Sequence, residues 1–159
     1  MTAYRPVSEG ERATAQARLA AVLSWIDQVT PRGITSIRAE SAPTGEVVFG
    51  VKESPFERVI PAPSLSDGTL RFAALAFAAI DPGPAQKTLV IEELENGVNP
   101  SRLPLLMQML DQVTSADDTT QVIASTHSPA VLDSATDEIV QACVAVGWDV
   151  DTASSTVSR

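Results

Sequence analysis

Three short polar runs carry the residue types that could do chemistry. They are Glu92-Glu93-Leu94-Glu95-Asn96-Gly97, Ser125-Thr126-His127-Ser128 and Leu65-Ser66-Asp67-Gly68-Thr69. Adjacent carboxylates at a strand end can hold a divalent metal through their oxygens, and a neighbouring acid can orient or deprotonate a water. An imidazole in a polar loop can meet a charged oxygen. Gly68 lets the backbone come close to a ligand, and the free N–H groups of a helix that starts there suit phosphate oxygens. Each run also has an ordinary reading. Glu92-Glu93 could be a strand emerging into solvent, His127 a residue near a helix start, and Ser66-Asp67 a plain helix cap.

The elements around these runs decide whether they can meet. Ser8 and Glu11 form a capping-box pattern, and Leu19, Val22, Leu23 and Ile26 come after it at helical spacing. This predicts a first helix of about twenty residues, ended by Pro31-Arg32-Gly33, and sets residues 1–33 apart from 34–159. Ile34–Ile37, Glu46–Val51 and Arg58–Ile60 read as short strands of a small antiparallel sheet, with turns around Pro43-Thr44-Gly45 and Ser54-Pro55. Thr69 to Ile80 reads as a nearly all-apolar helix, capped by Ser66 and Asp67 and stopped by Asp81-Pro82-Gly83-Pro84. Thr88–Ile91 and Gln121–Ala124 are short apolar strands. Between them lies a helix with Asn99 as N-cap, Pro100 at its first position and a stripe of Leu103, Leu106, Met107 and Leu110. A crossover of this length predicts a parallel, right-handed βαβ unit. Its two strand ends carry the first two polar runs, where ligands of parallel sheets sit. The remainder reads as Glu138–Val146, a turn at Gly147-Trp148-Asp149, and a weak strand near Ser155-Thr156-Val157.

In this order the three runs resemble a known set of motifs. Leu65–Thr69 resembles the ABC-type signature, Leu89–Gly97 a Walker B strand with its catalytic glutamate and D-loop, and Ser125–Pro129 the switch-histidine loop. Spacings of 26 residues from Ser66 to Glu92 and 34 from Glu93 to His127 also match. The chain thus resembles the C-terminal half of a soluble AAA-type or ABC-type ATPase, SMC-like and OLD-like, over about Ile34 to the C-terminus. The resemblance implies an α/β, P-loop NTPase fold with a parallel βαβ core, a small antiparallel sheet before it and a C-terminal hairpin. It implies ATP and Mg²⁺ as ligands. Glu92 takes the place of the acid that supports Mg²⁺, Glu93 that of the general base, and His127 that of the γ-phosphate sensor. Ser66, Asp67, Gly68 and Thr69 would reach the nucleotide of a partner protomer, with Asn96 and Gly97 at the dimer seam. Leu94 and Asn99 depart from the usual proline and histidine, outside the essential charges.

A P-loop needs Gly-x-x-x-x-Gly-Lys-[Ser/Thr]. Of the two lysines, Lys52 is followed by Glu53. Lys87 has Gln86 and Asp81 where the glycines belong. The 159 residues therefore hold no Walker A motif. The expectation is an ATPase lobe completed by a P-loop-bearing partner or N-terminal half, as a homo- or hetero-dimer, and nearly inactive alone. The alternative is a non-catalytic interaction module or remnant. A nuclease fits less well, since no second carboxylate cluster suits two-metal chemistry.

Composition narrows the classes further. Eleven Lys and Arg against twenty Asp and Glu give a net charge of −9, which disfavours direct nucleic-acid binding. The longest apolar run, Phe72–Ile80, is too short to cross a bilayer, and no signal peptide is visible. A cytoplasmic protein is expected. One cysteine and one histidine exclude an internal disulfide and argue against structural zinc. Cys143, Met107 and Met109 read as packing residues, and Trp25 and Trp148 as core or hairpin contacts. Arg71 reads as a surface residue, in a salt bridge or at a phosphate or seam. Part of the apolar helix surface is expected to be open, with an exposed half-sheet and self-association as consequences.

Overall fold

The computed structural model describes residues 8–30, 33–41, 45–55, 59–81, 88–116 and 120–158. Helix α1 (Glu9–Val29) starts where the capping box places it. The Ser8 N–H donates to Glu11 Oε2 at 2.7 Å and the Glu11 N–H donates to Ser8 Oγ at 3.3 Å. Its far end is tied to the first strand: the Ile34 N–H donates to Asp27 Oδ1 at 2.6 Å. Strands β1 (Ile34–Ser41), β2 (Val47–Glu53) and β3 (Val59–Pro61) form an antiparallel sheet in the order β1-β2-β3, with Ile37 opposite Val51 and Val51 opposite Ile60. Arg58 and the turn residues Pro31, Arg32, Pro43 and Thr44 lie outside the described residues, as do Pro82–Pro84.

Helix α2 (Asp67–Ile80) begins two residues earlier than the apolar pattern suggests, because Ser66 is its N-cap and accepts from the Thr69 N–H. It is the centre of the core. Phe72, Ala73, Leu75, Ala76 and Ala79 are buried, packed with Val22 and Ile26 of α1 and with the stripe of the next helix. The edge of Phe77 meets the ring of Phe49 in β2 at 6.2 Å and 85°, which joins the antiparallel sheet to the helices. Arg18 of α1 pairs with Asp81 just past α2 at 2.8 Å. Both side chains are about half exposed, so the pair contributes under about 1 kcal/mol.

The parallel unit comes next. Strand β4 (Thr88–Ile91) pairs with β5 (Gln121–Ala124) in parallel, Thr88 opposite Gln121 and Ile91 opposite Ala124. Between them Asn99 caps a 3-10 turn (Pro100–Arg102), its Oδ1 accepting from the Ser101 N–H at 3.0 Å, and the turn runs into α3 (Leu103–Ala116). The expected helix start at Pro100 is thus a tighter first turn. Leu103, Leu106, Met107, Met109 and Leu110 are buried, and Arg102 Nη1 donates to the Gln28 carbonyl at 3.1 Å. Val131 of the short α4 (Pro129–Asp133) completes the core. Alpha/beta architecture with a parallel βαβ unit and a preceding antiparallel sheet is as expected.

The C-terminal hairpin is present as expected, but its turn falls later in the chain. Helix α5 (Asp137–Ala142) leads to an antiparallel hairpin of β6 (Ala145–Asp149) and β7 (Ser154–Ser158). Gly147-Trp148-Asp149 is therefore strand, not turn. The turn lies beyond it, where Asp149 Oδ1 accepts from the Asp151 and Thr152 N–H groups at 2.9 and 3.2 Å. That Asx-type cap moves the reversal past the glycine that suggested it. Cys143, the C-cap of α5, is exposed and not a core residue, while Trp148 is an exposed hairpin residue of β6 opposite Ser155. Exposed apolar residues include Val90 and Ile123 of the parallel sheet, in line with the expected open half-sheet, together with Val47 of β2 and Val146, Trp148, Val150 and Val157 of the hairpin region. Helix α2 itself leaves little open: Ala74 is exposed and Phe77, Ala78 and Ile80 are half-buried. No described helix is long and apolar enough to cross a membrane.

Candidate functional site

The parallel register sets the site. Because Ile91 lies opposite Ala124, the chain leaves both strands at the same level, and residues 92–98 run beside residues 125–128. Backbone bonds stitch them: the Ser125 N–H donates to the Ile91 carbonyl at 2.9 Å and the Leu94 N–H to the Ser125 carbonyl at 3.0 Å. Ser125 Oγ accepts from the Glu93 N–H at 3.1 Å. Leu94 and Val98 are buried, so the segment is nailed to the core by its apolar residues while its polar ones stay outside.

Glu93 has φ +48°, a left-handed conformation that non-glycine residues rarely adopt. Its peptide groups are held on both sides. Ser125 takes the N–H, and the Glu93 carbonyl accepts from the Asn96 N–H at 2.8 Å and from Arg71 Nη2 at 3.0 Å. The same Nη2 lies 2.9 Å from the Glu92 carbonyl. Arg71 makes no ion pair among the described residues; its Nη2 is spent on main-chain carbonyls. It projects from α2 and clamps the main chain of both glutamates, while its Nε is buried without a hydrogen-bond partner.

The third run arrives at the same edge through Gly68. A Cβ on Gly68 would stand 2.7 Å from the Gly97 carbonyl oxygen, so only glycine permits this approach. Gly97 has φ +71°, and a Cβ there would meet Arg71 Cδ at 3.4 Å. The signature-like turn and the end of the acidic run are thus packed backbone to backbone. Sequence reasoning assigns Gly68 the role of approaching a ligand; its neighbour within the chain is Gly97. Ser66 Oγ is 2.8 Å from Thr69 Oγ1, and Ser66 and Asp67 are exposed at the mouth of α2.

All nine residues singled out from the sequence therefore stand in runs that share one edge: Ser66, Asp67, Gly68 and Thr69 at the start of α2, Glu92, Glu93, Asn96 and Gly97 after β4, and His127 after β5. Glu92, Glu93, Asn96 and His127 are exposed. Sequence reasoning missed the residues that bind these runs together. Arg71, Ser125 and Glu95 do so through main-chain contacts that no spacing rule marks. Glu95 turns towards the other loop. Its Oε2 accepts from Thr126 Oγ1 at 2.6 Å and its Oε1 from the His127 N–H at 2.9 Å. Burial alone pushes the Glu95 carboxyl up, but the Thr126 hydroxyl, main-chain N–H groups and the charge of His127 hold it below the usual glutamate value. The one signal in the sequence was arithmetic: a third acid is more than a metal and a base need.

A family model described as "AAA domain, putative AbiEii toxin, Type IV TA system" matches residues 11–133. The chain belongs to that AAA-domain family. The match spans the three runs and stops before α5 and the hairpin. Comparison with curated proteins returns no match. Among solved structures, one described as the structural biochemistry of ATP-driven dimerization and DNA-stimulated activation of SMC ATPases is 14% identical with a TM-score of 0.59, over 92% of this chain and 84% of that one. The SMC head domain from Thermotoga maritima is 17% identical, TM-score 0.55, over 93% of this chain and 49% of that one. An Smc head domain with an extended coiled coil, bound to the C-terminal domain of ScpA and derived from Pyrococcus furiosus, is 15% identical, TM-score 0.63, over 93% and 35%. The fold of this AAA-domain chain is that of an SMC head, a P-loop NTPase-like α/β fold. The chain spans most of the first of these structures and less than half of the other two.

Proposed function

We propose that the chain binds and hydrolyses ATP as the C-terminal catalytic lobe of an ABC-type ATPase, with the P-loop supplied in cis or in trans. The observation that supports this is the meeting of three runs at one edge, through Gly68 against Gly97, Arg71 on Glu92 and Glu93, and Ser125 on Glu93. Glu93 is the general base that polarises the attacking water. Its left-handed backbone, tied at both peptide groups, holds its direction before any nucleotide arrives. Preorganisation of this kind is what phosphoryl transfer asks of a protein, since positioning and charge neutralisation supply the catalysis. His127, exposed beside it, meets the γ-phosphate.

Mg²⁺ fits this donor set in a limited way. No group of three acidic, histidine or cysteine residues able to hold a metal occurs among the described residues. Mg²⁺ keeps several waters and takes one or two carboxylates together with phosphate oxygens, so the exposed Glu92, with Glu93 nearby, suffices when phosphate supplies the rest. A Mg²⁺ ion held there would supply neutralisation of phosphate charge. On the other side of the edge, Ser66, Asp67, Gly68 and Thr69 present a helix N-terminus to the nucleotide of a partner protomer, with Asn96 and Gly97 at the seam. ATP-driven dimerization is named for the SMC ATPases of one similar structure. The same head-to-tail association, with ATP between protomers, is proposed here.

The test uses the chain joined to a P-loop-bearing lobe. Glu93→Gln with Mg-ATP should give a persistent dimer by size exclusion with light scattering, where the unsubstituted protein dimerises only transiently. Full ATP turnover in Glu93→Gln would remove Glu93 from its role.

A further inference from the structure

Glu95 spends its carboxylate on the loop after β5. Thr126 Oγ1 donates to Oε2 at 2.6 Å, and the His127 N–H donates to Oε1 at 2.9 Å. Thr126 Oγ1 in turn accepts from the Ser128 N–H at 3.0 Å. Three consecutive residues of the loop are thus organised around one carboxylate. Hydrogen bonds to an ionised acceptor are shorter and roughly twice as strong as neutral ones. Glu95 and Thr126 are both half-buried at this point, whereas His127 is exposed. The loop's main chain also has a second fixed point, since Ser125 is bonded to Ile91, Glu93 and Leu94. These two anchors hold the main chain on either side of Thr126, while the His127 imidazole stays exposed.

We propose that Glu95 is the positioning residue of the histidine loop: its carboxylate fixes the main chain of Thr126 and His127, and so fixes where the His127 imidazole is presented to a phosphate. Glu95 touches no reacting atom. It is set apart from Glu92 and Glu93 because its two oxygens are already used within the chain. The proposal rests on the ATPase reading for what the imidazole meets, but the anchoring itself does not.

The experiment is amide spectroscopy on the ¹⁵N-labelled full chain without nucleotide, for the unsubstituted protein, Glu95→Ala, Glu95→Gln and Thr126→Val. The His127 amide proton should lie downfield and exchange slowly. In Glu95→Ala it should move upfield and exchange about ten-fold faster, as expected for losing a charge-assisted bond. Amides of Leu106 and Leu110 in α3 should keep their shifts, which separates a lost anchor from a loosened fold. Glu95→Gln keeps one acceptor oxygen and should restore part of the protection. Thr126→Val leaves the His127 bond in place and should act less than Glu95→Ala. If Glu95→Ala does not fold, the Glu95→Gln comparison decides alone. An unchanged His127 amide in a folded Glu95 variant overturns the proposal, whatever an ATPase assay returns. A lost anchor supports it even if ATP turnover proves absent, and that second result would count against the ATPase reading only.

Discussion

The edge formed by residues 66–71, 92–98 and 125–128 and the hairpin of β6 and β7 are built in opposite ways. At the first, exposed polar residues are cross-linked by Arg71, Ser125 and Glu95 onto a segment whose apolar residues, Leu94 and Val98, are buried. At the second, apolar residues point outwards: Val146, Trp148 and Val157 are 72%, 65% and 70% exposed. Val90 and Ile123 on the parallel sheet are also bare, at 67% and 50%. Parallel sheets are ordinarily covered on both faces. The contrast teaches that the chain completes its polar edge internally but leaves apolar surface for something else to cover.

Substitutions should separate the two regions, and the core beneath the polar edge should give the largest effect. Phe72→Ala empties a site that is 1% exposed at the centre of α2 and should cost about 3–5 kcal/mol by denaturant titration. Trp148→Ala in the hairpin should stay within about 0.5 kcal/mol. A Trp148 cost as large as that of Phe72 would erase the contrast. Next comes Gly68→Ala, whose Cβ would sit 2.7 Å from the Gly97 oxygen. The two backbones must part, which should lower stability by about 1–3 kcal/mol and perturb the Glu92 and Glu93 amides. An unperturbed spectrum would mean that the approach is not obligatory.

Opposite behaviour is expected of the bare surface. The double substitution Val90→Thr and Ile123→Thr should reduce self-association and dye binding of the chain on its own, with little change in the unfolding midpoint. The smallest effect concerns pH. Hydrogen bonds from the Thr152 N–H, the Thr152 side chain and the Asp151 N–H hold the Asp149 carboxyl below its ordinary value of 3.8. A depressed folded value means that the carboxylate's contribution is fully present above the unfolded value and is lost as pH falls through the folded one. The hairpin amides should therefore shift below pH 3.8 and stay constant at neutral pH, and Asp149→Asn should flatten that response.

Where local chemistry decided the outcome, the sequence was legible. Ser8 with Glu11, Ser66, and Asn99 with Pro100 mark element starts through bonds made within a few residues. The two short apolar strands placed Glu92, Glu93 and His127 at one sheet edge because parallel pairing is dictated by the crossover. The C-terminal hairpin was legible, but its turn falls later than expected because it depends on Asp149, while Gly147 carries the stronger turn signal. Cys143 reads as packed from its apolar neighbours, but it ends the short helix α5, where it is exposed. Arg71, Ser125 and Glu95 were invisible as organisers, since each acts over 21 to 32 residues on partners that are partly main chain.

The most direct measurement is ATP turnover, for the chain alone, for the chain joined to a P-loop-bearing lobe, and for the joined form carrying Glu93→Gln. Negligible turnover is predicted for the chain alone, with turnover on joining and its loss in Glu93→Gln. Turnover that survives Glu93→Gln would contradict the assignment of Glu93 as the base.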